Sequence, residues 1–237
     1  MTNFTASDVP ARPIRSFVRR FGRMTQAQRS ALDRHWTRYG IEATDIVDLD
    51  RIFGRRAPRY LEIGFGMGDM LIHMALAHAE WDYLGIEVHD PGIGRLFGQL
   101  ANLDLHNVRA VRGDANDVLA RLLPDESLEG IFMFFPDPWP KKRHHKRRLV
   151  QPQFVSSASA KLRTNGLCHI VTDVEDYAKH MLNILEQENM LQNLAPTGGF
   201  SRRPPGRPTT KFERRGLDRG HSVWDLMFVR RESHLIK

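Results

Sequence analysis

Short apolar segments alternate with helix-like segments from Arg59 to Gln192, and this alternation constrains the fold more than any other feature of the chain. Apolar runs of this length, bounded by turn residues, are typical of buried strands. The predicted strands are Arg59–Ile63, Tyr83–Glu87, Val108–Arg112, Leu128–Phe135 and Leu167–Thr172, followed by His221–Arg230. Helices are predicted between them at 69–79, 91–105, 115–123, 149–162 and 176–192. Strict β–α alternation predicts an α/β fold: a doubly wound, mostly parallel sheet with right-handed crossovers and helices on both faces.

The residues before the first strand differ from the rest of the chain, and we predict two regions. Residues 1–56 form a basic N-terminal extension with one helix, and residues 57–237 form the main domain. A capping box that begins at Thr25 predicts the start of the helix, which we expect to run to about Tyr39 and to stop at Gly40.

A glycine-rich turn follows the first strand and opens the first helix of the main domain. Its glycines, at positions 64, 66 and 68, allow a ligand to approach the backbone closely. The spacing is G-x-G-x-G, not the G-x-G-x-x-G of dinucleotide-binding folds, and a tight turn without a ligand would show the same pattern. The turn is therefore informative only together with its neighbours.

Three acidic residues stand at or near the ends of the first three strands. Glu62 can accept from the ammonium of an amino acid, Glu87 from both hydroxyls of a ribose, and Asp114 from the amine of an adenine. Each acid alone is more often a solvated loop residue, but three at successive strand ends favour a bound ligand. Amino acid, ribose and adenine together describe S-adenosyl-L-methionine. We expect this cofactor to be held by these acids together with Gly64, Gly66 and Gly68.

The stretch FFPDPWPKKRHHKRR, residues 134–148, follows the fourth strand. An apolar run halted by prolines predicts a buried strand that emerges into a loop, which places Asp137 where open α/β sheets bind ligands. Trp139 either stacks on a base or packs under the loop, and the six Lys and Arg of Lys141–Arg148 can form a surface that contacts phosphates. His144 and His145 have no Cys or acidic ligand at a suitable spacing, so we predict no metal site.

Charge is unevenly distributed along this basic chain, whose net charge is +7. Residues 12–23, 141–148 and 202–219 hold about half of the 35 Lys and Arg, which indicates an anionic partner. The arginine-rich residues 14–24 are either an RNA-contacting arm or a solvated helix face. Residues 45–56 are expected to be a linker, and residues 195–219 mostly loop.

The single cysteine, Cys168, excludes an intrachain disulfide and suits a reducing cytoplasm. The chain shows no apolar secretory signal and no apolar run of about 20 residues, so we expect a cytoplasmic protein without a membrane span. The sequence leaves open whether the protein is a monomer or a homodimer.

The glycine turn, the acids at the strand ends and the proline-framed stretch, together with the later segments TD (172–173) and TKFERRG (210–216), resemble those of the tRNA (guanine-N7-)-methyltransferases, a family with the Rossmann-like fold of class I methyltransferases. The glycine turn is shared by many methyltransferases, whereas the proline-framed stretch and TKFERRG are far more specific. The resemblance implies transfer of a methyl group from S-adenosyl-L-methionine to N7 of the variable-loop guanosine at position 46 of tRNA. The matching pieces are LEIGFGMGD (61–69), GIEVH (85–89), GDA (113–115), FPDPWPKKRHHKRR (135–148), TD (172–173) and TKFERRG (210–216).

The resemblance also implies roles for individual residues. It implies cofactor contacts at Glu62, Glu87, Asp114 and Asp137. It implies substrate contacts at Lys141, Asp173, Thr210, Lys211, Phe212 and Glu213. We interpret the segment from Thr210 to Glu213 as a loop that closes over the base, although a loop edge that only covers the core would share its sequence.

The chemistry of guanine N7 favours Asp137 as the catalytic residue. N7 already carries a lone pair and needs no general base, so the enzyme must position the ring and stabilise its developing positive charge. A carboxylate can do both, although an acid that merely caps an Asp-Pro turn remains the alternative. Two other functions stay open: methylation of an exocyclic amine, because the Asp-Pro-Trp piece resembles that of amino-methyltransferases, and RNA binding without catalysis.

Overall fold

The computed structural model describes residues 16–17, 24–42, 44–218 and 220–232, and within them eight strands form one sheet. The order across the sheet is β1-β4-β3-β2-β5-β6-β8-β7, and β8 runs antiparallel to both of its neighbours. This confirms the predicted mostly parallel sheet. The strands are β1 (Gly40–Ile41), β2 (Arg59–Ile63), β3 (Asp82–Glu87), β4 (Val108–Arg112), β5 (Leu128–Phe134), β6 (Leu162–Thr172), β7 (Leu191–Asn193) and β8 (Trp224–Arg230).

Helices cover both faces of the sheet because each strand alternates its side chains between two apolar cores. The helices are α1 (Gln26–Tyr39), α2 (Leu49–Phe53), α3 (Asp69–Ala77), α4 (Asp90–Asn102), α5 (Ala115–Arg121), α6 (Pro152–Lys161), α7 (Glu175–Gln187) and α8 (Lys211–Leu217), with a 3-10 helix at Lys142–Arg147. One core lies between the sheet and α5, α6 and α7, and it contains Leu61 and Ile63 of β2 and Leu84 and Ile86 of β3. The other core lies between the sheet and α1, α3 and α4, and it contains Tyr83 of β3.

The order of the strands reverses at β2, which pairs with β3 on one side and with β5 on the other. From β2 the chain moves outward through β3 and β4, and then returns to place β5 and β6 on the opposite side. Such a reversal opens a crevice at the carboxyl ends of the central strands, where open α/β sheets bind their ligands. The glycine turn after β2 and the proline-framed loop after β5 border this crevice.

The N-terminal residues that the structure describes pack onto the sheet. The capping box predicted at Thr25 is confirmed, because the Thr25 hydroxyl accepts from the Gln28 amide and the Gln28 side chain accepts from the Thr25 amide. Helix α1 lies on α4, and β1 pairs with β4. Of the arginine-rich residues 14–24 only 16, 17 and 24 are described, so the two readings of that stretch fall outside the described residues.

The expected linker at residues 45–56 contains α2, and the linker prediction is wrong. The Asp48 side chain caps α2 by accepting from the Arg51 amide, and Gly54 ends the helix with φ 71°. Leu49 is buried in the core beneath α5. The charged residues around it concealed this short amphipathic segment from the sequence pattern.

Three differences lie in the C-terminal half. The helix predicted at 176–192 ends at Gln187, and β7 follows because its residues pair with β8. The expected loop at 195–219 contains α8, whose start is fixed by a capping box at Thr210. Strand β6 begins five residues before the predicted start, since Asn165 and Gly166, which indicate a turn, lie in an irregular stretch where the pairing with β5 shifts register. None of the described helices is long and apolar enough to span a membrane.

Candidate active site

A cavity of about 440 Å³ lies at the carboxyl ends of β2, β3, β4 and β5. The glycine turn forms one wall, with Gly64 at φ 71° and Gly66 at φ 56°, conformations that favour glycine because a side chain would strain the backbone. The first turn of α4 packs so closely on this wall that a Cβ on Gly92 would lie 2.1 Å from the Gly66 carbonyl oxygen. The close packing of α4 against the other side of the turn therefore fixes the backbone of the turn where it lines the cavity.

Glu87 lines the cavity at the end of β3 and fixes two loops. Its Oε2 accepts from the Gly66 amide at 2.9 Å. Its Oε1 accepts from the amides of Val88 at 2.7 Å and His89 at 3.0 Å. A carboxylate has about four acceptor positions, so the geometry leaves room for one further donor from the cavity.

Glu62 lies behind the glycine turn and is 4% exposed. Its Oε2 is buried without a hydrogen-bond partner among the described residues. Burial, reinforced by the nearby carboxylates of Glu87 and Asp69, raises the pKa of Glu62 to about 8. A buried carboxyl with one oxygen left without a partner among the described residues fits a cationic ligand group, because a positive charge would restore the ionised form.

Asp114 stands at the end of β4 and caps α5. Its Oδ1 accepts from the Asn116 amide at 3.0 Å, while its other oxygen keeps acceptor capacity. The neighbouring Gly113 and Ala115 line the cavity, whereas Asp114 itself lines an adjoining open groove. Gly68 likewise stands outside the cavity lining and caps α3. The structure thus brings Gly64, Gly66, Glu87 and Asp137 to the cavity and sets Glu62, Gly68 and Asp114 next to it.

The loop after β5 presents Asp137 to the same cavity in a strained backbone. Phe135 has φ 55° and Trp139 has φ 46°, and such left-handed conformations cost a non-glycine residue about 1–3 kcal/mol each. Asp137 is exposed and lines the cavity, and no residue of the described chain forms a hydrogen bond or ion pair with its carboxylate. This carboxylate is free to accept from a ligand.

The cationic stretch continues the loop as the 3-10 helix at Lys142–Arg147. Lys141, which precedes the helix, is exposed at its N-terminus. Trp139 donates from Nε1 to the Ser16 carbonyl oxygen at 3.0 Å and has the Arg147 guanidinium 4.9 Å from its ring centroid. These contacts favour the packing interpretation of Trp139 over the stacking one.

Arg148 corrects the interpretation of the whole basic stretch as an electrostatic surface. Its side chain is 1% exposed and is bound to Asp176 at 2.5 Å, so it cannot belong to a solvent-facing patch. The exposed cations of the stretch are Lys141, Lys142, Arg143 and Lys146.

The remaining predicted substrate residues lie around α8. Asp173, at the end of β6, is 3.4 Å from the His221 ring, and its side chain is 15% exposed. The Thr210 hydroxyl caps α8 by accepting from the Glu213 amide. Lys211 and Phe212 begin the helix, and their side chains lie outside the described residues. Their predicted contacts with substrate stay predictions.

Glu213 is buried, with its side chain 1% exposed. Its carboxylate accepts from Arg203 at 2.7 Å and from both terminal nitrogens of Arg207 at 2.7 and 2.8 Å. Arg207 also pairs with Asp225, which binds His169 at 2.7 Å. In this structure Glu213 anchors the loop to the sheet, so its predicted contact with the substrate would require these ion pairs to open.

Comparison with known proteins also indicates a methyltransferase. A family model described as "Putative methyltransferase" matches residues 56–226. Curated relatives named tRNA (guanine-N(7)-)-methyltransferase include those of Alkalilimnicola ehrlichii (56% identity over 224 residues, 93% of this chain and 94% of the relative), Nitrosospira multiformis (50% over 224 residues, 94% and 97%) and Marinobacter nauticus (49% over 220 residues, 92% and 92%). The chain belongs to the tRNA (guanine-N7-)-methyltransferase family.

Solved structures add the fold of this family member. The 16S rRNA methyltransferase KamB has a TM-score of 0.59 at 12% identity, with 81% of this chain and 98% of that chain covered. A SAM-dependent methyltransferase from Aquifex aeolicus has a TM-score of 0.52 at 14% identity, with 76% and 86% covered. The Rossmann-like class I methyltransferase fold that the sequence predicts is thereby confirmed.

Several cavity residues have no counterpart among the predicted ones. Phe134 and Phe135 form part of the cavity wall. Their position at the end of a strand, just before Pro136, could have predicted this, because the last side chains of a strand that ends at a site line that site. Ser16 and Phe17 also line the cavity, and nothing in their sequence context indicates this. Among the described residues no group of three or more His, Cys, Asp and Glu is arranged to hold a metal ion.

Proposed function

We propose that this protein transfers a methyl group from S-adenosyl-L-methionine to N7 of a guanosine in tRNA, at position 46 of the variable loop. The observation that carries the proposal is the carboxylate of Asp137: it lines the cavity at the strand ends, has no partner among the described residues, and stands a few residues before the cationic helix at Lys142–Arg147. Relatives at 49–56% identity that carry the name of this activity support it.

The residues around the cavity fit the donor. A volume of about 440 Å³ lies in the range of small-molecule sites, about 300–1,000 Å³. The unsatisfied Oε2 of Glu62 suits the ammonium of the amino-acid part, and the remaining acceptor capacity of Glu87 suits a ribose hydroxyl. The second carboxylate oxygen of Asp114, at the edge of the cavity, suits an adenine amine.

The reaction needs no proton transfer to or from the chain. When bound, the sulfonium donor supplies an electrophilic methyl group: the N7 lone pair forms the new carbon–nitrogen bond while the carbon–sulfur bond breaks and its electron pair returns to sulfur. Asp137 accepts from guanine N1–H and the amino group, which orients N7, and its negative charge stabilises the ring as it becomes cationic. We propose that Lys141 and Asp173 contact the nucleotide around this position.

The exposed cations beside the loop would hold the tRNA backbone. Lys142, Arg143 and Lys146 are exposed and follow Asp137 within ten residues, so a guanosine in the cavity keeps its flanking phosphates near them. Because its substrate is tRNA and its named relatives are bacterial, we infer that the protein works in the cytoplasm.

The test of the function is the identity of the methylated atom. Unmodified tRNA transcripts are incubated with the protein and labelled donor, then reduced and treated with aniline, which cleaves the chain at N7-methylguanosine. We expect cleavage at the variable-loop guanosine and none in a transcript with adenosine there. Methyl transfer without cleavage would indicate an exocyclic amine and would contradict the proposal, and no transfer at all would leave only RNA binding.

The salt dependence of tRNA binding tests the cationic surface. Replacing Lys142, Arg143 and Lys146 by alanine should flatten the plot of log Kd against log salt, because each lost phosphate contact removes about 0.7–0.9 from its slope. The matched control replaces three exposed arginines at the ends of the strands that lie away from the cavity, and it should leave the slope unchanged. An equal change in both triple variants would place the RNA elsewhere. The control residues are Arg56, Arg163 and Arg231.

A further inference from the structure

Arg148 ends the basic stretch, but its contacts differ from those of the cations before it. Its Nε donates to the Pro138 carbonyl oxygen at 2.9 Å. Its Nη2 donates to the Asp176 carboxylate at 2.5 Å and to His145 Nε2 at 3.1 Å. Its guanidinium lies 4.8 Å from the centroid of the buried Tyr177 ring. All of its contacts are therefore internal to the protein.

These partners belong to three segments that meet at the Arg148 side chain. Pro138 is the next residue of the loop, His145 is in the 3-10 helix, and Asp176 and Tyr177 are in the first turn of α7. The arginine side chain thus ties the backbone beside Asp137 to a helix that packs in the core.

The loop needs such a tie because its backbone is strained on both sides of Asp137. Phe135 and Trp139 have positive φ, and residues in such conformations persist only where their surroundings over-determine them. The Phe135 amide donates to the Val171 carbonyl oxygen at 2.8 Å, which fixes the start of the loop. Arg148 fixes its centre.

We propose that Arg148 is a positioning residue for methyl transfer, which holds the Pro138 carbonyl and so fixes the Asp137 carboxylate relative to the cofactor cavity. This inference rests on the proposed function and deepens it. The planar guanidinium donates in three directions while stacking on a ring, a geometry that a lysine ammonium does not reproduce. Its charge is paired with Asp176 and turned away from solvent, so it adds little to the attraction of RNA.

The test separates positioning from RNA binding by kinetics. Arg148→Lys keeps the charge but loses the planar guanidinium that donates to several acceptors at once. We therefore expect kcat at saturating tRNA to fall about 10–100-fold. The KM for tRNA and the slope of log Kd against log salt should each change less than about twofold. Arg143→Ala, an exposed arginine of the same stretch, should raise KM for tRNA instead. Guanidinium ion added at non-denaturing concentration should partly restore kcat to Arg148→Ala, whereas methylammonium should not.

A spectroscopic measurement tests the same inference without catalysis. The ¹⁹F signal of 5-fluorotryptophan at position 139, assigned with Trp139→Phe, should broaden or split in Arg148→Lys and in Asp176→Asn and should stay sharp in Arg143→Ala. If Arg148→Ala does not fold, these two conservative variants carry the test. A sharp signal in both, or an Arg148→Lys enzyme with full kcat and a flattened salt slope, overturns the inference. If the wild type makes no N7-methylguanosine, the proposed function fails, while the ¹⁹F signals still decide whether Arg148 orders the loop.

Discussion

Replacing Asp137 by alanine is expected to lower the rate of methyl transfer at saturating tRNA and donor by at least about 100-fold, the loss found when a single group that stabilises developing charge is removed from an active site. The tRNA affinity should stay within about twofold, because the exposed cations that hold the phosphates are untouched. The rate is measured under single-turnover conditions with labelled donor, and the affinity by filter binding at two salt concentrations.

Asp137→Asn separates charge from shape. An amide has one acceptor oxygen and presents donors where guanine also donates, so the asparagine variant should be almost as slow as the alanine variant. Asp33→Ala, which removes an exposed carboxylate from α1, should behave as the wild type. An Asp137→Ala enzyme with more than about a tenth of the wild-type rate would contradict the assignment and leave Asp137 as an acid that only supports the turn.

The strands nearest the site were predictable because they are buried on both faces. Arg59–Ile63 and Val108–Arg112 are predicted with the bounds that the structure has, since turn residues stand directly before and after each segment. The predicted strands Tyr83–Glu87 and Leu128–Phe135 likewise place Glu87 and Asp137 at the same edge of the sheet, because the carboxyl ends of parallel strands meet there. The cavity follows from the order of the strands.

The contacts that lock the loops were not predictable from the sequence. Arg148 stands in a run of six cations, and only the fold reveals that α7 lies beneath it and supplies Asp176. Glu213 was expected to face the substrate, but partners that the sequence pattern does not connect, Arg203 and Arg207, surround its carboxylate. A charged residue shows its type in the sequence, whereas its burial depends on packing between distant segments.

Cofactor binding is expected to depend steeply on pH because of Glu62. Burial raises the pKa of this carboxyl to about 8, so the free protein holds it protonated at pH 6, whereas an ammonium group beside it favours the carboxylate. Binding then releases a proton, and the Kd for S-adenosyl-L-homocysteine should fall about tenfold per pH unit between pH 6 and about 8. Above that pH the affinity should level off, and it should decline only where the α-amino group of the ligand itself loses its proton.

Two comparisons assign this dependence to Glu62. 5′-Deoxy-5′-methylthioadenosine lacks the amino-acid part, so calorimetry should show no proton release and a flat affinity profile. Glu62→Gln should bind S-adenosyl-L-homocysteine weakly and without this pH dependence. A flat profile in the wild type would mean that Glu62 does not face the ammonium.

The pH dependence of the stability of the ligand-free protein tests the protonation of Glu62 independently. Its carboxyl has a pKa of 4.5 in the unfolded chain and about 8 in the folded one, so folding takes up a proton between these values. The group therefore lowers stability as pH rises through that window, by up to about 1.4 kcal/mol per unit. Glu62→Gln removes this loss and should unfold at a higher temperature than the wild type at pH 8 without ligand, although it binds the ligand less tightly. A buried carboxyl that the free protein keeps protonated, and that the ammonium ionises, accounts for both results together.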